Sequence, residues 1–478
     1  MSKTFLTIAE ATVERTLEAV ANAPDGSDGI EIRFDRLPYA TPEILSELRE
    51  RSSKPLLFTR RLLESGSRGD PAELAGAIAA GFELVDLELT ESIPRELEPH
   101  RNRIVLSHHD FESMPPIAPL LALMQAMGTG HVKIAVTPRT FRDNLELLKI
   151  IDTLPQRNVT LVGMGSVGIY SRMLAPMYGS ELAFVARDDA SRAAPGQLTL
   201  AEFRAMHSGR PPRRPASTFA LVGNPASHSR SPSIHNPLFQ ANGLNAVYAL
   251  IETADFGEVA QSVAEGEKYA PVGLGVTAPF KQDAFRFVLE RGGEISPRAR
   301  SAGAVNTVIR HRDGRLEAEN TDIDSFDAAI ERLRIEPREN AAVIGAGGTA
   351  RAALYALSCA GVRSTIFNRT YERALALGSA FGVSASRLDN IERFEGRVLI
   401  NTAGAAFELP DGVLRSGRVL VNAGYTKGQS EMNDDARRAG MEVFDGIEFL
   451  EAQAPAQSNM FLKVAQAGRL KDLGKSGG

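Results

Sequence analysis

Lys133 stands in the strand-like run HVKIAV, between Val132, Ile134 and Val136, where a lysine loses its water if the strand lies in a core. Desolvation lowers an amine's pKa, from about 10.4 toward the roughly 7–8 that catalytic lysines use, at a cost on the order of 4 kcal/mol. A neutral amine can attack a ketone and form an imine. Spacing alone also permits a lysine at a strand end that snorkels to water. His109 follows the run RIVLS in SHHDF. Beside an imine-forming lysine its imidazole, which titrates near the working pH, suits acid–base work, with a plain loop histidine as the alternative. A metal at His108 and His109 lacks any HxxxH or Asp/His spacing, so none is expected.

Other polar residues end the neighbouring runs. Glu31 and Arg33 alternate on one face of GIEIRF, Arg61 follows KPLLFT, and Asp86 and Glu88 lie in ELVDLEL. Arg172 follows NVTLVG and Gln197 follows ELAFVA. Charges turned into a small barrel are costly unless paired or used.

A second set of reactive residues lies further on. Ser229 and Ser231 sit in a polar loop after FALVG, which suits a carboxylate or hydroxyls and equally suits an ordinary serine-rich turn. Thr277 ends GLGVT, Lys281 comes four residues later, Asn306 lies in AGAVNTV, and ENTD supplies Asn320 and Asp322. A lysine and an aspartate facing one pocket can relay a hydroxyl proton while a hydride moves; a surface ion pair is the alternative. In GAGGTARA the turn Gly345, Ala346, Gly347, Gly348 and Thr349 lies between a strand and a helix. Its glycines let the backbone approach a pyrophosphate, and the helix N-terminus favours the negative charge. The next strand-like run, STIFNRT, ends in Asn368, Arg369 and Thr370 without the acidic residue that would bind an NAD ribose. An arginine there suits a 2′-phosphate, so the expected cofactor is NADP.

The elements that must hold these residues are α/β. Eight β-rich runs (TFLTI, GIEIRF, KPLLFT, ELVDLEL, RIVLS, HVKIAV, NVTLVG and ELAFVA) alternate with helix-like stretches in residues 1–207. That rhythm predicts a compact (β/α)8 barrel, whose chemistry sits at the C-terminal ends of the strands. GMGSVG at 163–168 fits a dinucleotide fingerprint, but too little chain follows before the proline- and arginine-rich stretch HSGRPPRRPAST, so it reads as a barrel loop. The domain reading is a barrel at 1–207, a linker at 208–217, a substrate-binding subdomain at 218–338 completed by the helical tail at 447–478, and a Rossmann-like subdomain at 339–446.

Bulk composition sets the remaining bounds. At 478 residues the chain needs more than one core, and a net charge of −5 gives no reason to expect nucleic acid or an anionic membrane. The one cysteine, Cys359, falls in the helix-like run ALYALSCAG and is expected as a buried, small apolar residue. With no secretory signal and no membrane-length apolar run, the expected setting is reducing and cytoplasmic. The oligomeric state is not readable.

The motifs EIRFD, SHHDF, GHVKIAV, GMGSVGIYSR and AAPGQ together resemble the type I 3-dehydroquinate dehydratases over nearly all of residues 1–207. The resemblance implies an imine on Lys133, proton shuttling by His109, a substrate carboxylate on Arg172, and ring-binding roles for Glu31, Arg33, Arg61, Glu64 and Gln197. Departures are ESGS in place of the usual glutamate-glycine-glycine, Ala193 for a serine, and His108 for an asparagine. Residues 218–478 resemble the shikimate dehydrogenases. This implies acid–base work by Lys281 and Asp322, substrate contacts from Ser229, Ser231, Thr277, Asn306, Tyr425 and Gln453, and Gly446 beside the nicotinamide. Here Gly275, Ser325 and Asn422 depart from the pattern.

The two halves imply successive reactions, 3-dehydroquinate to 3-dehydroshikimate and then NADPH-linked reduction to shikimate. Tethering would raise the local concentration of the shared intermediate. A dehydrogenase with an impaired dehydratase half is the alternative among enzymes, and a metabolite-sensing pseudoenzyme the alternative outside them.

Overall fold

The computed structural model describes residues 2–61, 70–155, 158–207, 214–404 and 408–475. Eight strands form its first sheet: β1 (Lys3–Ile8), β2 (Gly29–Arg33), β3 (Leu56–Thr59), β4 (Leu84–Glu88), β5 (Ile104–Asp110), β6 (His131–Val136), β7 (Val159–Gly163) and β8 (Leu182–Val185). Each of the eight expected runs contributes one strand. Neighbours pair in parallel in chain order, with β8 beside β1. Between β8 and β7 the ring is drawn together by the Glu181 amide on the Val159 carbonyl at 2.8 Å and the Leu182 amide on Thr160 Oγ1 at 3.0 Å. The result is a nearly closed (β/α)8 barrel.

Alternation along these strands sorts the interior into layers. Phe5, Leu57, Val105 and Leu182 form an apolar cluster, with Leu84 and Phe184 against it. Two residues further along the same strands, on the same face, stand Thr7, Thr59, Ser107 and Asp86, all buried. Glu31 and Lys133 join them by register, since Thr7 pairs with Glu31 and Ser107 with Lys133. A hydrocarbon floor thus carries a polar layer toward the strands' C-terminal ends. Helices between strands start on side-chain caps where the sequence supplies them, such as the Thr140–Asp143 capping box before Phe141–Thr153.

GMGSVG forms the turn from β7 to the helix Ile169–Tyr178. A Cβ on Gly163 would meet Ser171 Oγ at 2.3 Å and the Gly168 carbonyl at 2.6 Å. The glycines here close a tight strand–helix corner, as expected of a barrel loop.

By its internal contacts the chain divides into Met1–Ala216 with Ser227–Thr253, and Ser217–Ala226 with Ala254–Gly478. The division cuts through the expected 218–338 subdomain. The helix Ser231–Ala241 and the strand Ala246–Glu252 go with the first unit, where Gln240 Nε2 donates to the Ala205 carbonyl at 3.0 Å. Much of the expected linker, residues 208–213, lies outside the described residues.

The second unit contains two sheets. In one, Ser217–Gly223, Gly273–Val276, Thr307–Arg310, Leu316–Glu319 and Glu294–Ile295 lie side by side in that order, with parallel and antiparallel pairs. The other is wholly parallel, in the order Ser384–Arg387, Arg363–Asn368, Asn340–Ile344, Val398–Asn401, Val419–Asn422 and Glu442–Phe444. Chain order reverses at Asn340–Ile344, which marks the switch point where dinucleotide folds bind their ligand. The last helix, Gly446–Lys475, is anchored by Ser325 Oγ on the Phe449 carbonyl at 2.6 Å and by Phe326 against Phe449.

Cys359 corrects one expectation. It is exposed at the last residue of the helix Gly348–Cys359, outside the buried arc of Ala352, Ala353, Ala356 and Leu357. Among the described residues no helix is long and apolar enough to cross a membrane.

Candidate active sites

The barrel's polar layer is a hydrogen-bonded ring around Lys133, which is 1% exposed. Its Nζ lies 2.9 Å from Asp86 Oδ2, 3.8 Å from Glu31 Oε1 and 4.4 Å from the centre of the Phe184 ring. Each carboxylate is held in turn. Asp86 Oδ1 accepts from Ser107 Oγ at 2.5 Å, and Glu31 accepts from Thr7 Oγ1 at 2.8 Å and Thr59 Oγ1 at 3.0 Å. The desolvation expected from the sequence is present. A carboxylate beside the amine, which spacing did not reveal, gives its proton somewhere to go before attack on a carbonyl.

His109 lies two residues beyond Ser107 on β5, so it faces the same interior. Its Nδ1 is 2.6 Å from Glu88 Oε2, and its backbone amide donates to Glu88 Oε1 at 2.9 Å. Its Nε2 is buried with no hydrogen-bond partner among the described residues, so it is free to meet a substrate. Burial, followed by the charges of Arg61, Lys133 and Arg33, holds the imidazole well below its ordinary pKa, which keeps it a neutral base. Burial and the nearby Asp86 charge push Glu88 up to about 7.

Three expected guanidiniums stand at the mouth. Arg33 forms a two-pronged pair with Asp35, both bonds 2.8 Å. Arg61 is held below its usual value by burial and by Arg33, and its Nε has no hydrogen-bond partner among the described residues. Arg172 is lowered to about 10 by burial and by Arg61, and it donates to the Pro195 carbonyl at 3.0 Å. Arg61 and Arg172, lowered in this way, favour a bound anion, which would relieve both of them. Gln197 closes its own loop, accepting from the Ala193 amide at 2.7 Å, and reaches Thr7 Oγ1 at 3.2 Å. Glu64 lies outside the described residues.

In the second unit, Lys281 opens the helix Lys281–Glu290 and Asp322 opens Asp322–Arg332, two buried helix starts aimed at each other. Lys281 Nζ donates to Asp322 Oδ2 and, at 2.9 Å, to Thr349 Oγ1. Asn306 Nδ2 lies 2.9 Å from Asp322 Oδ1 and 2.8 Å from Gln453 Oε1. Gln457, absent from the sequence reading, donates to Thr307 Oγ1 at 2.8 Å and to the Asn306 carbonyl at 3.2 Å. Thr277 follows the strand Gly273–Val276, with its amide on the Val222 carbonyl. Tyr425 is half-buried, and Gly446 lies against it, since a Cβ there would meet Gly424 O at 2.2 Å and Tyr425 N at 2.9 Å. Ser229 and Ser231, in the first unit, bond to each other at 3.1 Å.

The glycine turn fits a dinucleotide. Gly345 has φ +108°, and a Cβ on it would strike Thr402 Oγ1 at 2.6 Å, whereas a Cβ on Gly347 would meet no atom of the described residues within 4 Å. Among the described residues no side chain caps the helix Gly348–Cys359, so its first amides can face a phosphate. Arg369 and Thr370 are exposed just past the strand Arg363–Asn368, and Asn368 Nδ2 donates to the Thr370 carbonyl at 2.9 Å. Among the described residues no cluster of His, Cys, Asp and Glu is arranged to hold a metal.

Fold and sites together define a two-part enzyme: a barrel built around a buried lysine and histidine, then a dinucleotide-binding dehydrogenase. Residues 4–208 match the family model of type I 3-dehydroquinase, 221–308 that of the shikimate dehydrogenase substrate binding domain, and 329–403 that of shikimate / quinate 5-dehydrogenase. The chain thus carries a type I 3-dehydroquinase domain in its first part and shikimate dehydrogenase domains in its second. It is 29% identical to the chloroplastic bifunctional 3-dehydroquinate dehydratase/shikimate dehydrogenase of Arabidopsis thaliana, over 91% of this chain and 78% of that protein. It is 31% identical to the pentafunctional AROM polypeptide of Yarrowia lipolytica over 81% of this chain, but that match spans only 26% of the larger protein. Among solved structures, shikimate 5-dehydrogenase from Thermus thermophilus in complex with NADP(H) and shikimate is similar at 29% identity, covering 53% of this chain and 98% of that one, with a TM-score of 0.45.

Proposed function

We propose that the chain dehydrates 3-dehydroquinate to 3-dehydroshikimate through an imine on Lys133 and reduces the product to shikimate with NADPH. The observation that carries the reading is the Lys133 amine, sealed inside the barrel between two carboxylates. Lys133 passes a proton to Asp86, adds to the substrate ketone, and water leaves as the imine forms. The imine acidifies the neighbouring C–H; neutral His109 takes that proton at Nε2 and returns one to the departing hydroxyl, which leaves as water. Hydrolysis of the imine frees the product and restores the amine. Arg172, with Arg61 and Arg33 near it, holds the substrate carboxylate throughout.

In the second half, bound NADPH supplies the hydride. Lys281 donates a proton to the carbonyl oxygen as it gains charge, Asp322 keeps the lysine oriented, and Asn306 and Gln453 bind hydroxyls. Thr277 and Tyr425 complete the substrate contacts within the second unit. We assign the barrel to residues 1–207, the linker to 208–217, substrate binding to 218–338 with 447–478, and cofactor binding to 339–446. The single, unpaired thiol supports a reducing, cytoplasmic setting.

Charge sets two expected outcomes. Below pH about 7 Glu88 carries a proton; above it the carboxylate accepts from His109 Nδ1–H and strengthens Nε2 as a base. Dehydratase kcat/KM should therefore climb about tenfold per pH unit below that point and level off above it, a limb missing from Glu88→Gln. Arg369→Ala should raise the KM for NADPH roughly 10–100-fold by removing a charge-assisted contact to the 2′-phosphate, with NADH kinetics nearly unchanged. Equal effects on both cofactors would refute that assignment.

The whole reading is tested by giving the purified chain 3-dehydroquinate and NADPH together. NADPH oxidation and shikimate should both appear without another enzyme. Turnover from 3-dehydroshikimate but not from 3-dehydroquinate would reduce the chain to a dehydrogenase.

A further inference from the structure

The dinucleotide turn touches the acid–base lysine as well as the cofactor's side of the fold. Gly347 and Gly348 are adjacent, but only the second is crowded: a Cβ on Gly348 would come within 2.5 Å of Lys281 Cβ and 3.2 Å of its Cδ. The stem of Lys281 thus lies across Gly348, where a side chain would push it aside. The next residue holds the other end, because Thr349 Oγ1 accepts from Lys281 Nζ at 2.9 Å. Arg351, two residues on, donates to Gln282 Oε1 at 3.1 Å and to the Ala302 carbonyl at 3.3 Å. The first turn of Gly348–Cys359 is therefore tied to the first turn of Lys281–Glu290 at Gly348, Thr349 and Arg351.

An ammonium group has three donors in a fixed tetrahedral arrangement. On Lys281 one goes to Asp322 and one to Thr349, which fixes the direction of the third. We propose that Thr349, with Gly348 beneath the lysine stem, is a positioning residue that aims the remaining N–H of Lys281 at the reacting oxygen, so the loop that receives the cofactor also sets the proton donor. The proposal rests on the dehydrogenase reading of the Lys281–Asp322 pair. It differs from a plain phosphate-binding role for the Thr349 hydroxyl, which would act on cofactor affinity and leave the proton step alone.

The test uses the full chain carrying Thr349→Val, Thr349→Ser or Gly348→Ala, with Lys281→Ala as reference. Shikimate oxidation kinetics, NADPH affinity by fluorescence titration, and the pH profile of kcat are measured, and dehydratase activity of each sample reports that the chain is folded. Thr349→Val should lower dehydrogenase kcat about tenfold, the effect of losing one hydrogen bond to a charged group, while NADPH affinity stays within about twofold. Its kcat–pH profile should shift, Thr349→Ser should restore both, and Gly348→Ala should lose more than Thr349→Val. Wild-type kcat in Thr349→Val beside an inactive Lys281→Ala, or a loss explained wholly by weaker NADPH binding, would overturn the positioning role alone. No shikimate oxidation by the unaltered chain would remove the dehydrogenase reading and this proposal with it.

Discussion

Replacing Lys133 by alanine should abolish dehydration of 3-dehydroquinate, lowering kcat by at least about a thousandfold, because the group that forms the covalent intermediate is gone. NADPH-linked reduction by the same molecules should continue at the wild-type rate, which makes the second half an internal control for concentration and folding. The substitution also leaves Asp86 and Glu31 without the cation they face at 2.9 and 3.8 Å. Breaking a buried pair from one side costs about 3–5 kcal/mol, so the barrel should melt earlier as well. Lys133→Met separates the two effects. It fills the space, and a carboxylate can take up a proton in place of its partner, so stability should largely return while dehydration does not. Recovery of dehydration in Lys133→Met would show that the amine is structural.

Lys281→Ala should lower shikimate oxidation by about 10²–10⁴-fold, the range for loss of a positioned proton donor, and leave dehydration untouched. Asp322→Asn should fall in the same range. Lys281 and Asp322 are bonded to each other, so they act as a unit, and the double variant should be little worse than either single one. Multiplied losses would mean the residues contribute independently, against the relay proposed for them. Steady-state kinetics of the three variants with NADP and shikimate give the answer.

Much of this architecture was readable because period-two alternation and strand ends are local signals. The eight barrel runs each became a strand, and inward-facing Glu31, Asp86 and Lys133 could be picked out as costly charges. What could not be read was which charge meets which. Asp86 and Lys133 are 47 positions apart on strands separated by β5, so their contact depends on the stagger of three strands. The same holds for Glu88, which lies 21 positions from the His109 it bonds. In the second half GAGGTA signals a cofactor turn, yet nothing local says that Gly348 is small for the sake of a lysine 67 residues earlier (348 − 281). Cys359 failed for a simpler reason: it is the last residue of its helix, at the edge of the buried face, where the side chain stays exposed.

The most direct measurement freezes the intermediate. Full-length protein mixed with 3-dehydroquinate and borohydride should gain the mass of one reduced substrate-derived adduct, with peptide mapping placing it on Lys133, and dehydratase activity should disappear in step. Intact protein that keeps dehydrating without acquiring any label, or a label on another lysine, would contradict the imine at the centre of the barrel.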